Sequence, residues 1–455
     1  MTDKRPKQQG VTAWLRNNWI TLYFRTAILM LVLAYGVFSS MFNWFPAQQI
    51  RDGIIAGLYF KNYALQYARV VPSKHLRPMR QEGDGVSRYQ PEMTQPGVTL
   101  LSGMWEEELG VKMVSLEGVL LHEWRMSFNK TWPVADHLYA QPHDWDSTIH
   151  GMVAQSNGDL IFNFEHLGIV SIDACSEENW KIASKAHHIV HKAYDGNLWY
   201  SDSRKYTSPN KKFPWLRVPF HEDTLVEITP EGEILREISL LEVLYDSGWE
   251  NVLVESSEGT DADGIFRNTV TTTRMDITHL NDIEVLSPDM ADAFDLFEAG
   301  DIVLSLRNLD LVMVMDGRTE KVKWAMTGPW LMQHDPDFLD SGKIMIYDNR
   351  ARIRKRTGTD GSRILEVDPV TREVEVIYKG SPEDIFFTPQ MGKQQPLDNG
   401  NILIAEPEGG RAFEVTRDGE IVWEFINRWS EEKVAVITEA LRLPDEYFEL
   451  PFNCE

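Results

Sequence analysis

Three histidines, His150, His188 and His334, each stand eight residues before a glycine (Gly158, Gly196 and Gly342) that opens a strand-like run. A fourth, His279, heads the segment HLNDIEVL. Near neutral pH an imidazole can be a nucleophile, an acid, a base or a metal ligand, so several of them brought together would make a reactive centre. A single histidine in a loop is readily a capping or solubilising residue. Recurrence at one spacing asks for elements that repeat.

Such elements run from Gly97 onward. Short β-type segments follow one another, many entered through NGD, DGN, AGD, SGK or DNGN turns. Some read DLIFNF, IVLSLR, KIMIYD or NILIAE, and others carry tryptophan, as in GVLLHEW, EKVKWAM and GEIVWEF. One unit is being repeated. Taking Gly97, Gly158, Gly196, Gly300, Gly342 and Gly400 as starts of inner strands gives six units, with the longest insertion between Arg204 and Ala299. The fold expected is all-β, a six-bladed β-propeller, with a seven-bladed count as its rival. Equivalent positions on successive blades converge around the axis, so His150, His188, His279 and His334 are expected to ring one mouth of the channel.

These segments resemble the bacterial arylsulfotransferase family of exported propeller enzymes. The likeness lies in KAHHIVHKAYDGNLWY, THLNDIEVL, DIVLSLRNLDLVMVMD, QHDPDFLDSGKIMIYDN, GSRILEVDP and LDNGNILIAEPEGGRAFEVTRDGEIVWEF, in family order across most of residues 98–428. HLND, LSLRN and QHD are its most specific parts. The resemblance implies nucleotide-independent (PAPS-independent) transfer of a sulfuryl group from an aryl sulfate to a phenolic or other hydroxyl acceptor, glycans included. It makes His334 the nucleophile that becomes sulfated and gives Arg307 and His279 the sulfuryl oxygens. Asn281 would lie beside them, with His188 or His187 as a further contact and His150 completing the substrate site. No metal or other cofactor is expected. Two other readings compete: iron held by four histidines, as in carotenoid-cleaving oxygenases, and a propeller that serves a membrane assembly without catalysis. A fixed cation at Arg307 disfavours the first.

Residues 26–47 carry no charge and are long enough to cross a bilayer, with Lys4, Arg5, Lys7, Arg16 and Arg25 before them against Asp3 alone. The expectation is a cytoplasmic segment over 1–25, an uncleaved single-pass anchor in the inner membrane over 26–47, and the remainder in the periplasm or outside the cell. A juxtamembrane helix and linker should occupy 48–96, the propeller 97–430, and a C-terminal helix and tail 431–455. The formal charge of −24 becomes about −28 beyond residue 25, which disfavours nucleic acid as a partner and leaves a membrane protein partner open. Cys175 and Cys454 would be free to pair in an oxidising compartment. Arg350, Arg352, Arg354 and Arg356 would share one face of an extended strand, either guiding an anionic donor or paired with surrounding carboxylates. TDADG at 260–264 is a weak calcium loop, and EEE at 106–108 a solvated one.

Overall fold

A computed structural model describes residues 11–42 and 74–455, except 139–140, 217, 254–275, 358–360, 453 and 455, together with the single positions 45, 49, 53 and 57. The chain forms two units, Met1–Ser73 and Lys74–Glu455. In the first, one helix runs Val11–Phe42, and its stretch Asn18–Ser39 is long and apolar enough to cross a membrane. The apolar segment thus begins before residue 26 and contains Arg25. A charge-free run marks where lipid is most comfortable, whereas the helix extends through any good helix former, and a lone arginine near one end can snorkel. Of the juxtamembrane helix and linker expected over 48–96, residues up to 73 lie outside the described ones except at 49, 53 and 57, and the linker part is not irregular: Leu76–Pro78 and Gly85–Tyr89 are strands, so the propeller begins before residue 97. The TDADG loop also lies outside the described residues.

The second unit contains six antiparallel sheets of four or five strands. Blade one is Ile437–Leu443, Val98–Trp105, Glu108–Val114 and Leu120–Met126, ordered from the axis outward. Blade two is Ile149–Ala154, Leu160–Phe164, Gly168–Ile172 and Glu178–Ile182, and blade three His187–Lys192, Leu198–Tyr206, Phe220–Ile228 and Ile234–Ser239. Blade four is Leu280–Val285, Ile302–Leu306, Leu311–Met315 and Val322–Thr327; blade five is His334–Phe338, Ile344–Asp348, Arg363–Val367 and Val374–Lys379. Blade six is Lys393–Pro396, Ile402–Glu406, Arg411–Val415 and Ile421–Ile426, with Gly85–Tyr89 added at its outer edge. Among the described residues the long insertion adds no seventh blade: it holds the outer half of blade three and the inner strand of blade four.

Two expectations change. The segment 431–455 is not helical: Lys433–Ala435 and Ile437–Leu443 are strands, the latter paired with Val98–Trp105. EALRL has good local helix formers, but the vacant inner edge of blade one supplies backbone partners that no local preference can match. The propeller therefore closes with a strand from the end of the chain and extends beyond residue 430. Second, the six glycines do not start inner strands. Gly158, Gly196, Gly300, Gly342 and Gly400 turn the chain from the first strand of a blade into the second, and Gly97 precedes the second strand of blade one. Their φ values are positive, and at Gly342 a Cβ would lie 2.3 Å from the Ala293 carbonyl oxygen. The histidines consequently sit at the starts of the inner strands themselves.

Tryptophans on outer strands join neighbouring blades. Trp124, Trp180, Trp324 and Trp423 donate their indole N–H to the carbonyls of Gly158, Pro230, Pro369 and Leu116, each on the following blade, at 2.9 Å. In blade three Arg236 replaces the indole, donating to the Gly317 carbonyl at 2.8 Å while lying over Trp199. Cys175 of blade two and Cys454 form a disulfide that ties down the C-terminus. The EEE stretch is the exposed turn of a hairpin, with Glu108 opening its second strand.

Further along the inner strands the axis holds a cavity of about 500 Å³ lined by Asp282, Glu284, Asp335, Asp337, Glu439 and Lys393, among others. Lys393 Nζ reaches Asp282 at 2.9 Å and Asp335 at 2.6 Å. Burial pushes Asp282 up to about 7 and Glu439 to about 7 against the pull of Lys393, and raises Glu284 to about 8. Between the ordinary carboxyl range near 4 and these raised values the folded state binds more protons than the unfolded one, so stability falls as pH rises through that window. Glu284→Gln, which keeps an acceptor for the Phe338 N–H, should melt several degrees above the parent at pH 9 and level with it at pH 5. Equal melting at both values would show that the cluster is not strained by ionisation.

Candidate active site

The cross-strand pairs Val153–Ile161, His191–Trp199, Glu284–Val303 and Asp337–Met345 set a common register for blades two to five. His150, His188, Asn281 and His334 occupy the same place in it. His279 lies two residues earlier and is not their equivalent, yet its ring still reaches that of His188, with centroids 4.7 Å apart. His188 also faces His150 at 4.8 Å and His334 at 6.2 Å. The strands open irregularly here: each has a shift in register, and His188, His279 and Asp335 adopt left-handed backbone, at about 1 kcal/mol each.

A second set of residues meets them. Glu165, Arg307 and Asn349 each immediately follow the second strand of their blade, at Leu160–Phe164, Ile302–Leu306 and Ile344–Asp348. The resulting cavity, about 400 Å³, is lined by His150, Glu165, His166, His188, His279, Arg307 and His334, with Lys74, His75 and Arg77 among the other residues.

His334 is buried, and its Nδ1 lies 2.7 Å from Asn349 Oδ1. Asn349 in turn donates its amide N–H groups to the Thr388 and Met391 carbonyls at 2.9 and 2.7 Å. Its oxygen is therefore the end facing the ring, so Nδ1 of His334 carries the proton and Nε2 keeps its lone pair. Burial, reinforced by the Arg307 guanidinium, holds His334 well below the usual histidine range. It is a neutral imidazole with one defined basic nitrogen. Arg307 is itself buried, which lowers it to about 10 and leaves it charged at neutral pH, and its Nε has no hydrogen-bond partner among the described residues. His279 pairs through Nδ1 with Asp276 Oδ2, which fixes its ring.

On the other side, Glu165 Oε2 lies 3.0 Å from His150 Nδ1 and accepts from the His188 backbone N–H at 2.9 Å. Its Oε1 is 3.3 Å from His188 Nδ1 and 3.4 Å from His166 Nε2. Burial opposes its charge, yet the rings of His188, His150 and His166 hold its carboxyl well below the usual range.

Of the residues expected from sequence, His150, His188, His279, Arg307 and His334 line this cavity. Asn281 and His187 do not. Asn281 donates to the Gln333 carbonyl at 2.8 Å and so holds the backbone next to His334. His187 lies behind His188, Nδ1 to Nδ1 at 2.8 Å, with Asp223 at 3.5 Å; burial opposes its charge but Asp223 lifts it to about 9. The arginine run forms a helix, Ala351–Thr357, rather than an extended strand, because Arg350 turns left-handed at its start. Arg352 pairs with Asp310 at 2.8 Å and Arg354 covers Phe387, so neither lines the cavity. The four-histidine iron centre is not assembled: among the described residues, the group whose ligand atoms come within 4.8 Å of one another is His150, Glu165 and His188. Glu165, His166 and Asn349 were missed in the sequence, although Asn349 closes the QHDPDFLDSGKIMIYDN segment.

The profile of the arylsulfotransferase (ASST) family matches residues 151–428, more than half of the chain. The chain belongs to this family. Membership supports an aryl sulfotransferase-type function, and the matched span carries all of the cavity's histidines except His75 and His150. No curated protein matches significantly. Solved structures similar to the chain include a Bacteroides caccae protein of unknown function, at 13% identity and TM-score 0.45, covering 75% of this chain and 99% of that one. Virginiamycin B lyase from Staphylococcus aureus aligns at 12% identity and TM-score 0.33, over 60% and 69% of the two chains. The Cps50 (Swd1) propeller domain of Myceliophteria thermophila aligns at 9% and 0.40, over 78% and 90%.

Proposed function

We propose that this arylsulfotransferase-family protein moves a sulfuryl group from an aryl sulfate to a phenolic or other hydroxyl acceptor through a sulfohistidine at His334. The observation that carries the reading is the doubly anchored Asn349, which leaves Nε2 of a neutral, buried His334 as the free nucleophile beside Arg307. Nε2 attacks sulfur, the sulfur–oxygen bond to the aryl group breaks, and its electron pair leaves on the phenolate. His279, its ring fixed by Asp276, gives a proton to that oxygen. The acceptor hydroxyl then returns a proton to the same imidazole as its oxygen attacks sulfur, and the nitrogen–sulfur bond breaks to restore His334. Arg307 holds the sulfuryl oxygens, with His188 as a further contact. No nucleotide donor enters this scheme. Varying an aryl sulfate donor and a phenolic acceptor together should give the parallel reciprocal plots of a ping-pong reaction; intersecting plots would mean direct transfer without an enzyme-bound intermediate.

The apolar helix Asn18–Ser39 supports a single-pass anchor, and the Cys175–Cys454 disulfide supports placing the propeller in an oxidising compartment, the periplasm or the cell exterior. Protease added to spheroplasts should then digest the propeller. Protection of that domain would reverse the orientation.

A further inference from the structure

We propose that His150, Glu165 and His188 form a binding site for a divalent first-row transition-metal ion in this cavity. Their ligand atoms lie within 4.8 Å of one another. The Glu165 oxygens are 3.0 Å from His150 Nδ1 and 3.3 Å from His188 Nδ1. Neighbouring ligands around an ion bound at about 2.1 Å are separated by about 3.0–3.4 Å, so Glu165 already stands at coordination spacing from both rings. Two imidazoles and one carboxylate suit zinc, iron(II), manganese or cobalt and leave coordination positions open.

Glu165 is supported from behind as metal ligands usually are. The His188 backbone N–H fixes Glu165, whereas His187 Nδ1 lies 2.8 Å from His188 Nδ1, a contact that an ion bound at that nitrogen would displace. His166, half exposed with Nε2 at 3.4 Å from Glu165 Oε1, is placed to become a fourth ligand. Arg307 lies with Asn308, His279 and His334, and Lys74, which interacts with Glu165, lines the same cavity, so the Glu165 carboxylate is the anionic ligand that would offset these cations. The open positions face the cavity, where a hydroxyl or sulfate oxygen would occupy them. Sulfuryl transfer at His334 does not require the ion, so either inference can fail without the other.

The test uses the full chain in detergent, stripped with EDTA and dialysed against micromolar Zn²⁺ or Co²⁺. About one equivalent per chain should remain bound, Co²⁺ should show visible d–d absorption of a nitrogen and oxygen site, and the affinity should fall about a hundredfold or more in Glu165→Gln and His150→Ala. His334→Asn should bind the ion as the parent does. Binding below about a tenth of an equivalent in the unmutated protein, a measurement that needs no variant, would overturn the proposal. So would binding that neither substitution weakens.

Discussion

His334→Asn is expected to lose transfer from a chromogenic aryl sulfate by several orders of magnitude while melting close to the parent. The size of the effect follows from the role: without a nucleophile there is no covalent intermediate, and the two easier steps revert to one hard one. Asparagine retains a polar side chain that can meet Asn349, so the buried site is not left with an orphaned amide. Asn349→Ala should weaken the reaction through a different route, by freeing the imidazole to rotate or to take its other tautomer. Its loss should appear mainly in kcat, and Asn349→Asp, which restores an oxygen acceptor, should recover part of it. A His334→Asn protein that still turns over at a tenth of the parent rate would remove His334 from the chemistry.

Arg307→Lys should cost on the order of a hundredfold or more in kcat despite preserving charge. The guanidinium is a planar fork able to grip two sulfuryl oxygens, and its buried Nε has no hydrogen-bond partner among the described residues. An ammonium is a point charge with a larger hydration demand in a buried place. If Arg307→Lys matched the parent in kcat, the residue would be serving general electrostatics rather than gripping the transferred group.

The eight-residue offset made part of this site legible because register is a property of sequence once the blades are recognised. It identified His150, His188 and His334 as equivalent, and the equivalence holds even though the glycines mark the turn after the inner strand rather than its beginning. The fourth equivalent residue is Asn281, and His279 joins from two residues upstream by virtue of a left-handed backbone that no spacing rule anticipates. The position after the second strand was invisible for another reason: glutamate, arginine and asparagine share no residue type there, so only the strand ends reveal that Glu165, Arg307 and Asn349 converge. Propeller closure by Ile437–Leu443 was equally hidden, since its partner Val98–Trp105 lies at the far end of the domain and local helix formers dominate the segment. The arginine run misled because alternation suggests a strand, while the helix it forms spends Arg352 and Arg354 on Asp310 and Phe387.

Transfer through a sulfohistidine requires a covalent bond between His334 Nε2 and the transferred group. Donor aryl sulfate is incubated with the full chain in the absence of acceptor, the protein is digested at alkaline pH to preserve the acid-labile nitrogen–sulfur bond, and the peptide carrying QHDPDFLDSGKIMIYDN is examined by mass spectrometry. That peptide should gain one SO₃, localised to His334, that disappears when a phenolic acceptor is added and never forms in His334→Asn. Release of phenol in steady turnover with no sulfated peptide, or with the label on another histidine, would contradict it.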